Sequence, residues 1–513
     1  MHVFARHVAC GLALLQSLAA GLAVPSPEFF DKELVTRRVV TPATVQAELG
    51  SKLSSGSLIY GPESPLWADS TERWAGASLP DIQVVVLPAA EDDVSVIVKY
   101  CNRNSINFFA RGHGHGMTKT IATFKGIEID LKLLTAVSIL PDKKSAWIGG
   151  GQSVAGVIGA LWNAGYVTPT GSNACVGFVG PALGGGHGRY EGLYGLASDN
   201  FINLKVVLAD GTKLLVNGSA DCHGDLFWGL KGAGHNFAIV TSAQSKIYPK
   251  QVDTWHFHNY VWTQDKLETV FAALNTFHGN GTTPVKMGVN FGQFVIEPAI
   301  SAAEAILQWA FAYAGPAAEA EALLAPFNAI GAIVEQVGDV PYTQIPEAQG
   351  MGVGSPGCAS ALYAGTSANI QAYNITTERT IYKLFNQKIA QYPALATVSR
   401  VFHEGYATKG MADIDPSSSA FPLRDELHLV FFTTAVPPGS GLTAAADAWS
   451  TQVKDLWNGG QPTRRPTTYV NYATGGESLQ SMYGYEPWRL ARLRALKSKY
   501  DPNNRFRFYN PIV

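Results

Sequence analysis

An α+β fold with more than one folding unit is expected from three features of the sequence. The chain has 513 residues, about three times a typical single domain. Its 46% hydrophobic and 15% charged residues suit a packed core and exclude a disordered chain. Segments of strand period and helix period alternate from Ile82 to about residue 250, and the composition changes beyond it. A formal net charge of -2, from 38 basic and 40 acidic residues, excludes nucleic acid or an anionic membrane as the main partner.

Residues 1–23 read as a secretory signal peptide. Arg6 and His7 precede an apolar run from Val8 to Leu22, Gly21 and Ala23 supply small residues for cleavage, and Val24-Pro25 would begin the mature chain. No other stretch reaches the roughly 20 apolar residues of a membrane span. A secreted or secretory-pathway protein follows, with glycosylation expected at Asn217, Asn280 and Asn374. Cys101, Cys175, Cys222 and Cys358 are too few and scattered for a disulfide framework, so one bridge or none is expected.

Residues 24–60 read as an N-terminal arm. Val84, Val86 and Pro88 mark a strand. Asp92 and Asp93 open a helix with Val94, Ile97, Val98 and Cys101 on one face. A strand from Phe108 to Arg111 enters a glycine-rich loop, and Ile127, Ile129 and Leu131 alternate as in another strand. Ser153 to Asn163 is helical and Gly165 stops it. Asp210-Gly211 joins two strands of a hairpin, and Ala238 to Tyr248 alternates again. From 251 to 455 a second domain is expected, with Ala302 to Ala312 and Ala317 to Leu324 as helices and Leu427 to Thr434 as a strand. The final helix places Leu490, Leu493, Leu496 and Tyr500 on one face. Arg489, Arg492, Arg494, Lys497 and Lys499 line the solvated others.

Glycine is concentrated: 25 of 52 lie between Arg111 and Val240. They form four clusters, Gly112–Gly116, Gly149–Gly151, Gly177–Gly188 and Gly232–Gly234. Backbone without side chains approaches a ligand closely, and successive N–H groups cradle phosphate. Four such loops point to one large, flat, phosphate-bearing ligand. A dinucleotide fingerprint does not explain them. The only literal G-x-G-x-x-G, Gly352 to Gly357, lacks a preceding apolar strand and carries Pro356 where a helix would start. His113, His115, His187 and His235 lack the carboxylates and spacing of a zinc site, so no metal is expected there.

Phe108-Phe-Ala-Arg-Gly-His-Gly-His-Gly116 resembles the flavin-carrying loop of the vanillyl-alcohol-oxidase-type (PCMH-type) FAD proteins, in the berberine-bridge-enzyme-like branch. Thr168-Pro-Thr-Gly171, Gly180-Pro-Ala-Leu-Gly-Gly-Gly-His-Gly188 and Leu193 to Asn200 are similar to its second flavin loop and sequel. Asp225 to Val240, Tyr469-Val-Asn-Tyr472 and Tyr500 to Phe506 follow in family order. The resemblance runs from about Ile82 to the end and is weakest from 251 to 420. It implies an FAD-binding domain of two subdomains (61–250), a substrate domain with an antiparallel sheet flanked by helices (251–455), and a C-terminal segment returning to the FAD domain (456–513).

The resemblance also implies residue roles. His115 matches the histidine bonded to the flavin's C8 methyl, and His113 a phosphate or ring contact. Arg111, Gly112, Gly114, Gly116, Gly180, Gly184, Gly185, Gly186 and Gly188 line the cofactor, and Ile239 approaches it by backbone. The cysteine that some members bond to flavin C6 falls at Asn173 here. Cys175, two residues on, is either a displaced thioether donor or a buried thiol. Tyr469 is the candidate catalytic base, with Asn471 orienting it, Tyr472 second, and Arg424 or His428 as a donor that tunes it. The implied activity is an FAD-dependent oxidase taking hydride from an alcohol or natural-product C–H, with dioxygen as acceptor. The sequence style resembles fungal secondary-metabolism members. A carbohydrate oxidase of the same fold is the alternative, and a flavin-containing binding protein without turnover is the alternative of another class. The partners are a small-molecule substrate and O2, and a monomer is expected.

Overall fold

The periodicities of the first half build two sheets. In this computed structural model, residues 40–219 and 223–513 are described, and those up to Ile512 form one compact unit. The signal peptide expected over 1–23, residues 24–39 of the arm and Cys222 lie outside the described residues. The first sheet has the order Leu58–Tyr60, Asp81–Leu87, Lys125–Asp130, Asn107–Arg111. Its last three strands are parallel, so each pair needs a crossover. Helix Glu91–Arg103 supplies one, burying Val94, Ile97, Val98 and Cys101 as their spacing requires. The Asp93 carboxylate accepts the N–H of Ala90 and ties down Ser54 and Ser57.

The second sheet is antiparallel, in the order Val137–Ile139, Ser145–Gly149, Ile239–Lys246, Phe201–Val207, Lys213–Asn217. Gly211, at φ +86°, turns the hairpin after Asp210 as expected. Ile239–Lys246 does not follow the half-buried pattern read from the sequence. It is the central strand, and all but Lys246 are buried.

Beyond residue 251 a seven-stranded antiparallel sheet runs Val334–Val340, Trp255–Trp262, Ser301–Tyr313, Asn290–Glu297, Ser399–Gly405, His428–Ala435, Tyr363–Ile370. The helix expected over Ala302 to Ala312 is instead the longest of these strands. Leu307, Trp309, Phe311 and Tyr313 recur every second residue and all join one core. That two-residue period decides the backbone over alanine's helix propensity. Helices Leu267–His278, Ala317–Asn328, Ile375–Gln391 and Thr443–Gly459 contribute Phe271, Phe327, Phe385 and Trp449 to the same core. Phe291, Leu429 and Tyr406 belong to a separate cluster with Leu196, Phe421 and Tyr469, between this sheet and the glycine-rich loops.

The last helix, Pro487–Tyr500, packs Leu490, Leu493 and Leu496 into the core of the second sheet. Two of its basic residues depart from the solvated face expected of them. Arg489 is fully buried and donates to the carbonyls of Ser419 and Pro416. Lys497 donates to the carbonyls of Asn236 and Phe506 and to Asp501 Oδ2, at 2.9, 2.9 and 2.7 Å. These bonds pin the C-terminal tail against the fourth glycine cluster. Replacing Lys497 with Met leaves the buried Asp501 carboxylate without its counter-ion, held only by the N–H groups of Arg505 and Phe506, removes the ammonium from the Asn236 and Phe506 carbonyls, and should cost about 3–5 kcal/mol by chemical denaturation. Lys499→Ala removes an exposed pair with Asp225 and a contact over the Tyr500 ring, and should cost under about 1 kcal/mol.

Candidate active site

The four glycine clusters close into a ring. His113 Nε2 lies 3.1 Å from the Gly151 carbonyl, joining the first to the second. Phe178 N–H donates to the Gln152 carbonyl and Ser153 bridges Gly177, joining the second to the third. The N–H groups of Gly232 and Gly234 donate to the Leu183 carbonyl, and His235 donates to that of Gly180, joining the third to the fourth. Tyr509 of the C-terminal tail stacks on His235 at 4.5 Å and packs against Gly116, which returns to the first.

The ring fits a phosphate-bearing cofactor. The backbone N–H groups of His113, Gly114, His115 and Gly116 find no acceptor among the described residues, leaving consecutive donors for an anion. A Cβ on Gly180 would meet nothing within 4 Å, so this backbone has an open side. Arg111 is held by Asp130 Oδ2 at 3.1 Å and by the carbonyls of Asp69 and Glu72, while its Nε is buried without a partner.

Other glycines serve the protein itself. A Cβ on Gly184 would stand 2.3 Å from Asn471 Oδ1, one on Gly185 2.7 Å from the Phe421 ring, and one on Gly188 1.7 Å from the Thr170 carbonyl oxygen. Gly186 donates its N–H to the Tyr469 hydroxyl. The missing side chains here let the loop lie against the C-terminal segment and its own preceding turn. Ile239 sends its side chain into the core of the first sheet.

His115 sits beside this ring. Its Nδ1 faces the His113 carbonyl at 3.1 Å and therefore carries the proton, so Nε2 holds the free lone pair. Burial lowers its pKa to about 4, so the imidazole is neutral near pH 7. Trp74 lies parallel to it at 6.4 Å and stacks on Tyr363 at 4.2 Å. His115 Nε2 is 3.4 Å from Cys175 Sγ. That sulfur is neither a thioether donor nor a free thiol, because Cys175 is bonded to Cys358. The bridge anchors the turn-rich Gly352–Gly357 loop beside His115, and Trp74 Nε1 donates to the Gly357 carbonyl.

Tyr469, Asn471 and Tyr472 lie together at the start of the C-terminal segment. The Tyr469 oxygen accepts from Gly186 N–H at 3.0 Å and Asn471 Nδ2 at 2.6 Å, which leaves its own hydrogen to donate. Burial raises its pKa against these two bonds. Neither expected tuning group bonds to it. Arg424 is buried in a two-pronged pair with Asp199, at 2.8 and 2.7 Å, and His428 packs against His278 and Tyr373 on the opposite side of its sheet.

Glu404 is the residue that the sequence reading missed. It neighbours the core residue His403 on strand Ser399–Gly405, so the two point to opposite faces. Its oxygens accept from Tyr472 at 2.8 Å and Tyr406 at 2.6 Å. Burial raises its pKa above the usual carboxylate range despite those bonds. His187, paired with Glu191 at 2.8 Å, packs at 5.0 Å from Tyr406 and 4.8 Å from Tyr469, and its Nε2 is buried without a partner. The group can take up a proton in a site without bulk water. A glutamate flanked by His403 and Gly405-Tyr406 was the available signal, but nothing nearby in sequence marks it as buried.

Residues 82–216 match the family model of an FAD binding domain, and residues 468–513 that of berberine and berberine-like proteins. The FAD-linked oxidoreductase iacH of Pestalotiopsis fici is 54% identical, over 99% of this chain and 98% of its own. Berberine-bridge-enzyme-like protein 1 of Physcomitrella patens superposes with a TM-score of 0.77 at 19% identity, covering 92% of this chain and 99% of that one. A glucooligosaccharide oxidase of Acremonium strictum, described with a 6-S-cysteinyl, 8α-N1-histidyl FAD, superposes with a TM-score of 0.76 at 19% identity, over 91% and 98% of the two chains. At such identities these two likenesses concern the fold. Among the described residues no helix is long and apolar enough to cross a membrane. Alkylation of the unreduced protein followed by peptide mapping should return Cys175 and Cys358 as one linked peptide pair; an alkylated Cys175 would refute the bridge.

Proposed function

The chain belongs to the berberine-bridge-enzyme-like family of FAD-linked oxidoreductases, and from that premise we propose an oxidase that converts an alcohol or similarly activated natural-product C–H to the oxidised product, with dioxygen reduced to hydrogen peroxide. Bound in this ring, FAD would supply the two-electron acceptor for the substrate hydride and the route from it to dioxygen. The chain's own residues hold the cofactor and handle the substrate proton.

The hydrogen-bonded group of buried Glu404 and Tyr406 with the partly buried Tyr472 carries this reading. Both Glu404 oxygens accept hydroxyl hydrogens, an arrangement suited to the ionised form. As a substrate hydroxyl gives its proton to Tyr472, Tyr472 passes its own to Glu404. The phenol thus avoids ending as a buried anion, which its strongly raised pKa would oppose. The hydrogen left free on Tyr469 donates to the substrate oxygen and, with Asn471 fixing the ring, sets its orientation. His115 would hold FAD covalently, and the row of N–H groups from His113 to Gly116 would be available to its phosphates. The neutral state of His115 makes its lone pair available without prior deprotonation.

Anaerobic reduction of the bound flavin by alcohols, phenolics and sugars tests the activity. Reduction by an alcohol followed by peroxide formation in air supports the proposal. Preference for sugars alone would make it a carbohydrate oxidase, and no reduction by any of them a flavin-containing protein without turnover. Glu404→Gln should slow the reductive step about 10²–10⁴-fold while flavin stays bound. In the parent enzyme that rate should rise with pH as Glu404 loses its proton, at an apparent pKa above ordinary carboxylates. The limb should vanish in Glu404→Gln; an unchanged profile would reject Glu404 as the acceptor. Acid precipitation should keep yellow colour in the pellet of the parent and release it to the supernatant in His115→Ala.

A further inference from the structure

On strand Trp255–Trp262, His256 and His258 stand two residues apart and share one face. Helix Ala317–Asn328 brings Glu321 over that face. A single carboxylate oxygen, Glu321 Oε1, lies 2.7 Å from His256 Nε2 and 2.8 Å from His258 Nδ1. The edge strand Val334–Val340 adds two more carboxylates. Asp339, directly across from His256 in the sheet, places Oδ1 3.0 Å from His256 Nδ1, and Glu335 Oε2 is 3.7 Å from His258 Nε2.

As a hydrogen-bond network this cluster is poorly balanced. Both nitrogens of His256 face carboxylate oxygens, two rings compete for one oxygen, and His258 Nε2 is buried with no hydrogen-bond partner although His258 is only 5% exposed. Three carboxylates surround two imidazoles. One positive ion between His256 Nε2, His258 Nδ1 and Glu321 Oε1 removes the competition for that oxygen and offsets the excess of carboxylates. These three atoms lie within 4.8 Å of one another.

We propose that His256, His258 and Glu321 form a divalent metal site of the zinc class. Two imidazole nitrogens and one carboxylate oxygen are a set that zinc accepts, with a remaining position for water. Ligands held at ~2.0–2.2 Å around a tetrahedral ion stand roughly 3.4 Å apart, so the present contacts need to part by about 0.7 Å. The surroundings are already those of a supported site. Asp339 orients the His256 ring from behind, as carboxylates do for metal-binding histidines. Asn328 Nδ2 holds the other Glu321 oxygen at 2.8 Å, and Tyr260 holds Asn328 at 2.5 Å. Glu321 and Asp339 are partly exposed, which gives the ion a way in. Bound there, it fastens the helix to the edge of the seven-stranded sheet, on the face away from Glu404.

The test uses the flavin-loaded full chain, stripped with a chelator and titrated with Zn²⁺ by calorimetry. One ion per chain is expected. Co²⁺ in its place should give the intense visible bands of a low-coordinate site. His256→Gln and Glu321→Gln should each weaken Zn²⁺ binding at least tenfold, and Asp339→Asn, which removes only the carboxylate behind the ring, about 10–100-fold. Unchanged flavin absorption shows that the variants are folded. Absence of saturable uptake by the parent, or equal affinity in His256→Gln, would overturn the site and leave a hydrogen-bonded clamp.

Discussion

A Cβ on Gly188 would stand 1.7 Å from the Thr170 carbonyl oxygen, one on Gly151 1.9 Å from that of Leu131, and one on Gly149 2.0 Å from that of Leu134. Backbone meets backbone at these points, and no side-chain adjustment relieves the overlap. The remaining architecture depends on this close approach. It lets four loops from two sheets interlock into one ring. The same approach brings Gly186 under the Tyr469 hydroxyl, so the third glycine cluster also positions that tyrosine.

The substrate side uses the two faces of one sheet differently. His403 points into the aromatic core and pairs with Glu378 at 2.9 Å, both almost fully buried. Glu404, its neighbour, points to the glycine loops and receives two tyrosine hydroxyls. The strand's two-residue period thus separates a core ion pair from the proposed proton acceptor by a single step along the chain. A one-residue slip of that strand would exchange them.

Much of the first half was legible because its signals are local. The spacing of Val94, Ile97, Val98 and Cys101 specifies a helix face, and Asp210-Gly211 specifies a turn. The four clusters were legible as one site because each carries its own glycines. What escaped depends on distant partners. Ala302 to Ala312 reads as helix until strands on both sides claim its backbone. Lys497 reads as solvated until the tail folds over it. Cys175 gives no hint of Cys358, 183 residues away. Glu404 acquires meaning from Tyr472, which arrives from the far end of the chain. His256 and His258 do show a pattern, one on each side of Phe257, but a strand with alternate histidines becomes a site only when Glu321 is placed above it.

The Cys175–Cys358 bond joins a glycine loop to a loop of the substrate sheet and so makes the intervening chain a covalent circle. A circle tolerates a break that a line does not. A single protease cut between those cysteines leaves both fragments attached, with His115 and the Tyr469–Tyr472 segment still in one molecule. The backbone from Val176 to Gly357, which includes Glu404's neighbouring strand Asn290–Glu297 and both histidines of the proposed metal site, is therefore the part of the enzyme whose integrity is secured twice.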